Sequence, residues 1–176
     1  MTNDLTVSVF GHKWLKTTMT AGEVLSHLNK LNLLHLGNLG EQALEKKGVK
    51  LCAVNEPGID TTNGVQIKTA QTHRRQLDKD PNTLKAHISV KNACGPIAAQ
   101  VLEETTGKTY YFWIPEAVHE YVQANTFCIP FESSGAPRTI PKRNTGINPN
   151  WWNYEIKNYT EFSKLVKEHK ARHGSK

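Results

Sequence analysis

Asp60, Gln66 and Lys68 are the residues of this sequence whose types and spacing best suit chemistry. They fall in the segment Gly58-Ile-Asp60-Thr-Thr-Asn-Gly64-Val-Gln66-Ile-Lys68-Thr69, which reads as two strands joined at Asn63-Gly64, a strong hairpin signal. Side chains on a strand alternate between faces, so Gln66 and Lys68 share one face and Val65 and Ile67 the other. The hairpin brings Asp60 beside Gln66 and Lys68. A carboxylate, an amide and an ammonium then converge, with the backbone carbonyl of Ile67 as a further oxygen donor. Such a set suits phosphodiester hydrolysis with Mg²⁺, a hard cation that takes oxygen ligands and keeps several waters, with Mn²⁺ as a possible substitute. Asp60 and Gln66 would hold the metal, and Lys68 would orient or deprotonate the attacking water or stabilise charge on the phosphate.

The elements around this segment are legible from periodicity. A helical region is expected over about residues 20 to 47, opening on the capping box Thr20-Ala-Gly-Glu23, with Gly37 and Gly40 interrupting it and Asn38 capping a second segment that ends at Gly48. The period then changes to two. Strands are expected at 49–55, 86–93, 96–104 and 108–114, the last two forming an antiparallel hairpin. Pro115 opens a short helix over 115–123, the Pro-rich stretch 130–150 reads as an irregular loop, and a last helix covers 158–173. The order predicts one α/β (α+β) domain over 1–176, with a sheet core at 49–114 that carries the site.

Ile59-Asp60 followed by Gln66-Ile-Lys68 resembles the active-site signature of the PD-(D/E)XK nuclease superfamily, in the variant with glutamine in place of the second acid. Gly37-Asn-Leu-Gly40-Glu41 resembles the Gly-Glu of that family's first helix. The resemblance implies a restriction-endonuclease-like core, a central mixed β-sheet flanked by helices. It makes Glu41 a helix acid assisting the metal, Asp60 the central ligand and Lys68 the catalytic lysine. Gly58 and Ile59 stand where a proline would directly precede the aspartate, and Gln66 leaves the site one carboxylate poorer. Glu41, three positions after Asn38, is equally explained as part of a helix cap. The implied activity is that of a DNA endonuclease leaving 5′-phosphate ends, of the type II restriction kind. A junction or repair nuclease, an RNA-cleaving toxin-like nuclease and a non-catalytic nucleic-acid module are the alternatives.

Charge agrees in sign with such a partner. Among 176 residues Lys and Arg number 22 against 16 Asp and Glu, a net +6, which favours a polyanion such as double-stranded DNA. His73, Arg74 and Arg75 follow the site and suit phosphate contacts. Arg138, Lys142, Arg143 and Asn144 on the Pro-rich loop suit a DNA groove. Each group also fits a solvated loop. Trp151, Trp152 and Tyr154 are expected in the core or at a dimer interface, and cleavage of both strands by a domain of this size predicts a homodimer. The three cysteines, Cys52, Cys94 and Cys128, form no CxxC pair, which suits buried thiols in a reducing, cytoplasmic setting. No apolar stretch is long enough for a membrane span, no secretory leader is expected, and no organic cofactor is implied.

Overall fold

A computed structural model describes residues 5–9, 12–16, 33–56, 59–72, 83–121, 125–138 and 150–170. The helix expected in the first third, α1 (Leu33–Lys46), is continuous through Gly37, Asn38 and Gly40. The two glycines therefore interrupt nothing, and Asn38 starts no helix. Gly40 instead permits close packing, because a Cβ there would lie 2.6 Å from Thr69 Oγ1 and 2.8 Å from Gln100 Nε2. The stop is at Gly48, whose φ of +90° suits glycine. Gly48 N–H donates to Glu45 O and Val49 N–H to Leu44 O, and Leu44 and Val49 are buried in one apolar cluster, as in a Schellman motif. The capping box at Thr20 lies outside the described residues.

An antiparallel ribbon absent from the sequence expectation comes first, β1 (Leu5–Val9) with β2 (His12–Lys16). After α1 follow β3 (Leu51–Glu56), β4 (Ile59–Thr61), β5 (Gln66–Gln71), β6 (Thr83–Ser89), β7 (Ile97–Leu102) and β8 (Thr109–Ile114). The short helix expected over 115–123 is a 3₁₀ helix over Glu116–Tyr121, and β9 (Thr126–Glu132) follows. β9 was missed because it contains Pro130, and it takes the first residues of the expected loop 130–150. Proline has no N–H to give a ladder; the carbonyl of Pro130 still accepts from the Arg138 N–H. A second 3₁₀ turn (Trp151–Tyr154), β10 (Glu155–Ile156) and α2 (Tyr159–Glu168) complete the described chain. Asn158 caps α2 by accepting from the Glu161 N–H at 2.8 Å, but the helix stops at Glu168 rather than 173, with His169 no longer helical.

The central sheet has the order β10-β8-β7-β5 and is mixed. β7 is antiparallel to β8, as expected, and β5 is parallel to β7 with Lys68 opposite Ala99. β3 with β4 and β6 with β9 form two further antiparallel ribbons. This is a mixed α/β arrangement consistent with α+β. In the connection from β5 to its parallel neighbour β7, residues 83–89 form strand β6 and residues 73–82 lie outside the described part.

The sheet has apolar packing on both faces. Ile97, Ala99, Val101, Tyr110, Phe112 and Ile114 face the β6–β9 ribbon, and Ala98 and Ile67 face Leu44 of α1 and Phe162 and Val166 of α2. All six residues of β7 are buried, as befits a strand covered on both sides. Trp151 and Trp152 belong to the core: Trp152 meets Tyr110, Phe112 and Phe131 edge-on at 5.1 to 5.3 Å between centroids and donates its indole N–H to Pro130 O. Phe162 is fully buried, so truncation to alanine would cost about 3–5 kcal/mol. Among the described residues no helix is long and apolar enough to cross a membrane.

Candidate functional site

β5 lies at the end of the central sheet's strand order, and β4 meets it through a tight turn rather than a full ladder. Gly64 N–H donates to Thr61 O, Gly64 has φ +86°, and the N–H groups of Asp60 and Thr61 both donate to Val65 O. This is a type I turn closed by a glycine bulge. Thr61 Oγ1 reinforces it, accepting from the Val65 N–H at 2.9 Å and donating to Asn63 Oδ1 at 2.5 Å. Asn63 Nδ2 then donates to Val166 O at 2.8 Å and His169 O at 2.9 Å, fastening the turn to the end of α2.

This turn places Asp60 against the edge of β5 that faces away from β7. Its Oδ2 accepts from Gln66 Nε2 at 2.5 Å and from the Ile67 N–H at 2.7 Å. The Gln66 N–H points to β7 instead, bonding Pro96 O. In a strand a residue's N–H and C=O leave on the same side, so the Ile67 carbonyl also faces the Asp60 edge. Gln66 and Lys68 alternate with Ile67, which is packed in the helix-side cluster. They therefore occupy the opposite face, Gln66 buried and Lys68 half-buried.

Glu41 comes from α1, on the helix side. Burial, then the Asp60 carboxylate, push its carboxyl above the ordinary carboxylate range, while the Lys68 ammonium pulls it back. Asp60 and Lys68 thus both act on the Glu41 carboxyl, with opposite signs. Since α1 does not start at Asn38, helix capping no longer accounts for Glu41. By type, the two carboxylates, the Gln66 amide oxygen and the Ile67 carbonyl are the hard oxygen donors a small cation takes, but Gln66 turns its Nε2, not its oxygen, toward Asp60. Glu41 and Asp60 are the acids available, for no cluster of three or more His, Cys, Asp or Glu side chains occurs among the described residues.

Of the expected nucleic-acid contacts, Arg138 is described. Its Nε lies 3.9 Å from Glu132 Oε1, and its N–H donates to Pro130 O. The turn before it abuts the buried carboxylate of Glu103, since a Cβ on Gly135 would meet Glu103 Oε2 at 2.2 Å. Thr72 reaches the same end of the sheet, its N–H on Leu102 O and its hydroxyl accepting from the Glu104 N–H. His73, Arg74, Arg75, Lys142, Arg143 and Asn144 lie outside the described residues.

Two polar features escaped the sequence. Gln100 is fully buried behind Gly40 and Thr69; its only sequence signal was a lone glutamine in an apolar strand. His87 and Cys128 face each other across β6 and β9, Sγ to Nδ1 3.1 Å, which only the strand register reveals. Compared with protein-family models, curated proteins and solved structures, the chain matches none.

Proposed function

We propose that this chain is a Mg²⁺-dependent endonuclease that hydrolyses phosphodiester bonds in double-stranded DNA. The observation that carries the reading is Asp60, fixed at the β5 edge by Gln66 and the Ile67 N–H, with Asp60 and Lys68 both close enough to act on the carboxyl of Glu41. The likeness of these residues to the PD-(D/E)XK signature supports it. Glu41 and Asp60, with the Ile67 carbonyl and the Gln66 amide oxygen, would hold Mg²⁺, or Mn²⁺ in its place; the Gln66 amide must turn to present that oxygen. The ion would supply an acidified water and offset charge on the phosphate. Lys68 would orient that water for in-line attack and donate hydrogen bonds to the phosphate oxygens, leaving 5′-phosphate ends. Arg138 and residues 73–75 and 142–144 are proposed DNA contacts. Within the superfamily we favour a restriction-type enzyme acting as a homodimer inside the cell.

One observation favours a second reading, a non-catalytic nucleic-acid module on the same scaffold. Gln66 already donates to Asp60, so part of the carboxylate's acceptor capacity is used by the protein itself. Supercoiled plasmid, branched oligonucleotides and tRNA incubated with Mg²⁺, Mn²⁺ or EDTA separate the readings. We expect metal-dependent cutting of plasmid that falls at least about 100-fold in Lys68→Ala, the order expected for a lost acid–base or electrostatic group. Undiminished cutting by Lys68→Ala would falsify the mechanism, and binding without cutting at any metal concentration supports the module.

A further inference from the structure

The turn between β4 and β5 is the meeting point of two lysine-rich chain segments that lie at neither of the basic loops considered above. Thr62 N–H donates to Lys50 O at 2.9 Å, and Asn63 Nδ2 reaches Lys167 O at 3.4 Å as well as His169 O. Lys167 lies across the Gly48 turn, its Nζ 3.1 Å from where a Cβ on Gly48 would stand. Lys47 Nζ sits 6.0 Å above the Tyr159 ring. Lys47, Lys50 and Lys167 are exposed, and among the described residues none is ion-paired with a carboxylate.

The charge of this surface decides what it fits. Segments 45–50 and 167–170 carry five lysines and two glutamates, an excess of three positive charges. Two helix C-termini also meet here and favour cations, but together they supply only about one negative charge. A net positive surface remains after both offsets. It stands at the turn end of β5, and Thr72, with the turn before Arg138, stands at the other end. Lys68 lies between. Six residues of β5 span about 20 Å, on the order of half a turn of duplex.

We infer that segments 45–50 and 167–170 form a docking surface for the phosphate backbone of DNA, holding the duplex to one side of the scissile bond. The inference rests on the nucleic-acid reading above but not on catalysis, because phosphate contacts need no metal and no sequence information. An anionic membrane would meet the same charges; the position beside the candidate site favours DNA.

Binding of a fluorescein-labelled DNA duplex to the full chain, in EDTA and from about 50 to 200 mM salt, tests it by anisotropy. For Lys50→Gln/Lys167→Gln the slope of log affinity against log salt should lose about two, roughly one per phosphate contact. Lys50→Arg/Lys167→Arg should restore it, which also guards against a folding defect. Lys108→Gln/Lys157→Gln, with the same loss of charge elsewhere, should keep a steeper slope than the Lys50/Lys167 pair. An unchanged slope in the first variant, an equal loss in the second, or no affinity of the parent chain for duplex overturns the inference. So does binding to phosphatidylserine vesicles that the first variant abolishes while its DNA binding is intact. Should the parent bind as expected yet cut nothing with Mg²⁺, the nuclease reading fails and the docking surface stands.

Discussion

Glu41 is the residue at which the charge balance of the site is most exposed to test. Its carboxyl is held above the ordinary value of 4.5 by burial and by Asp60, so the ionised form is worse off in the folded chain than in the unfolded one. The chain is then less stable at neutral pH than it would be without this charge, and it recovers that stability as pH falls through the raised value. Glu41→Gln should therefore melt slightly higher than the parent at pH 7. The gap is on the order of a degree or two, because a partly exposed charge is screened. It should close below about pH 4.5, where Glu41 is protonated in both states. Adding Mg²⁺ at pH 7 should also narrow it, since an ion held by both acids stabilises only the parent strongly. Thermal melts over pH, with and without Mg²⁺, decide the matter; a gap indifferent to pH would remove Glu41 from the electrostatics of the site.

The turn between β4 and β5 sets where Asp60 stands, and Asn63 is the link between that turn and α2. Removing its side chain strips three hydrogen bonds to carbonyls at the helix end and one from Thr61. Net values near 1 kcal/mol per good bond, shared among overlapping contacts, put Asn63→Ala at about 2 kcal/mol of lost stability, or several degrees of melting temperature. Hydrogen exchange should quicken together in the turn and in the last turn of α2. Faster exchange in only one of the two would show that Asn63 does not join them. The Asn63-Gly64 pair announced this hairpin in the sequence because a turn is encoded by neighbours. Tertiary use of the same residues is not encoded locally. Gly40 looked like a helix stop and is a packing contact with Thr69 and Gln100. Pro130 looked like loop and lies in a strand, and Asn38, a good cap by type, sits inside a helix. The convergence of Asp60 and Gln66 was legible because one hairpin carries both. The approach of Glu41 to them depends on how α1 packs on the sheet, which spacing alone does not fix.

At the scale of the molecule, the net charge of +6 over 176 residues now divides by place. Lys68 stands at the candidate site, Arg138 near one end of β5, and the Lys50 and Lys167 surface at the other end. On the nuclease reading proposed above, a single site on one edge strand would meet one DNA strand at a time. Cutting both strands in one encounter requires a second copy related by a two-fold axis, which would present the same residues to the opposite strand. Plasmid products report this directly. A dimer should convert supercoiled DNA to linear form with little nicked circle, and sedimentation should give about twice the 19.8 kDa chain mass. Dilution below the dimer dissociation constant should shift the products from linear to nicked, because mass action separates the two sites before it inactivates either. Nicked circle accumulating first at every protein concentration, from a species sedimenting at the chain mass, would make the chain a strand-nicking monomer.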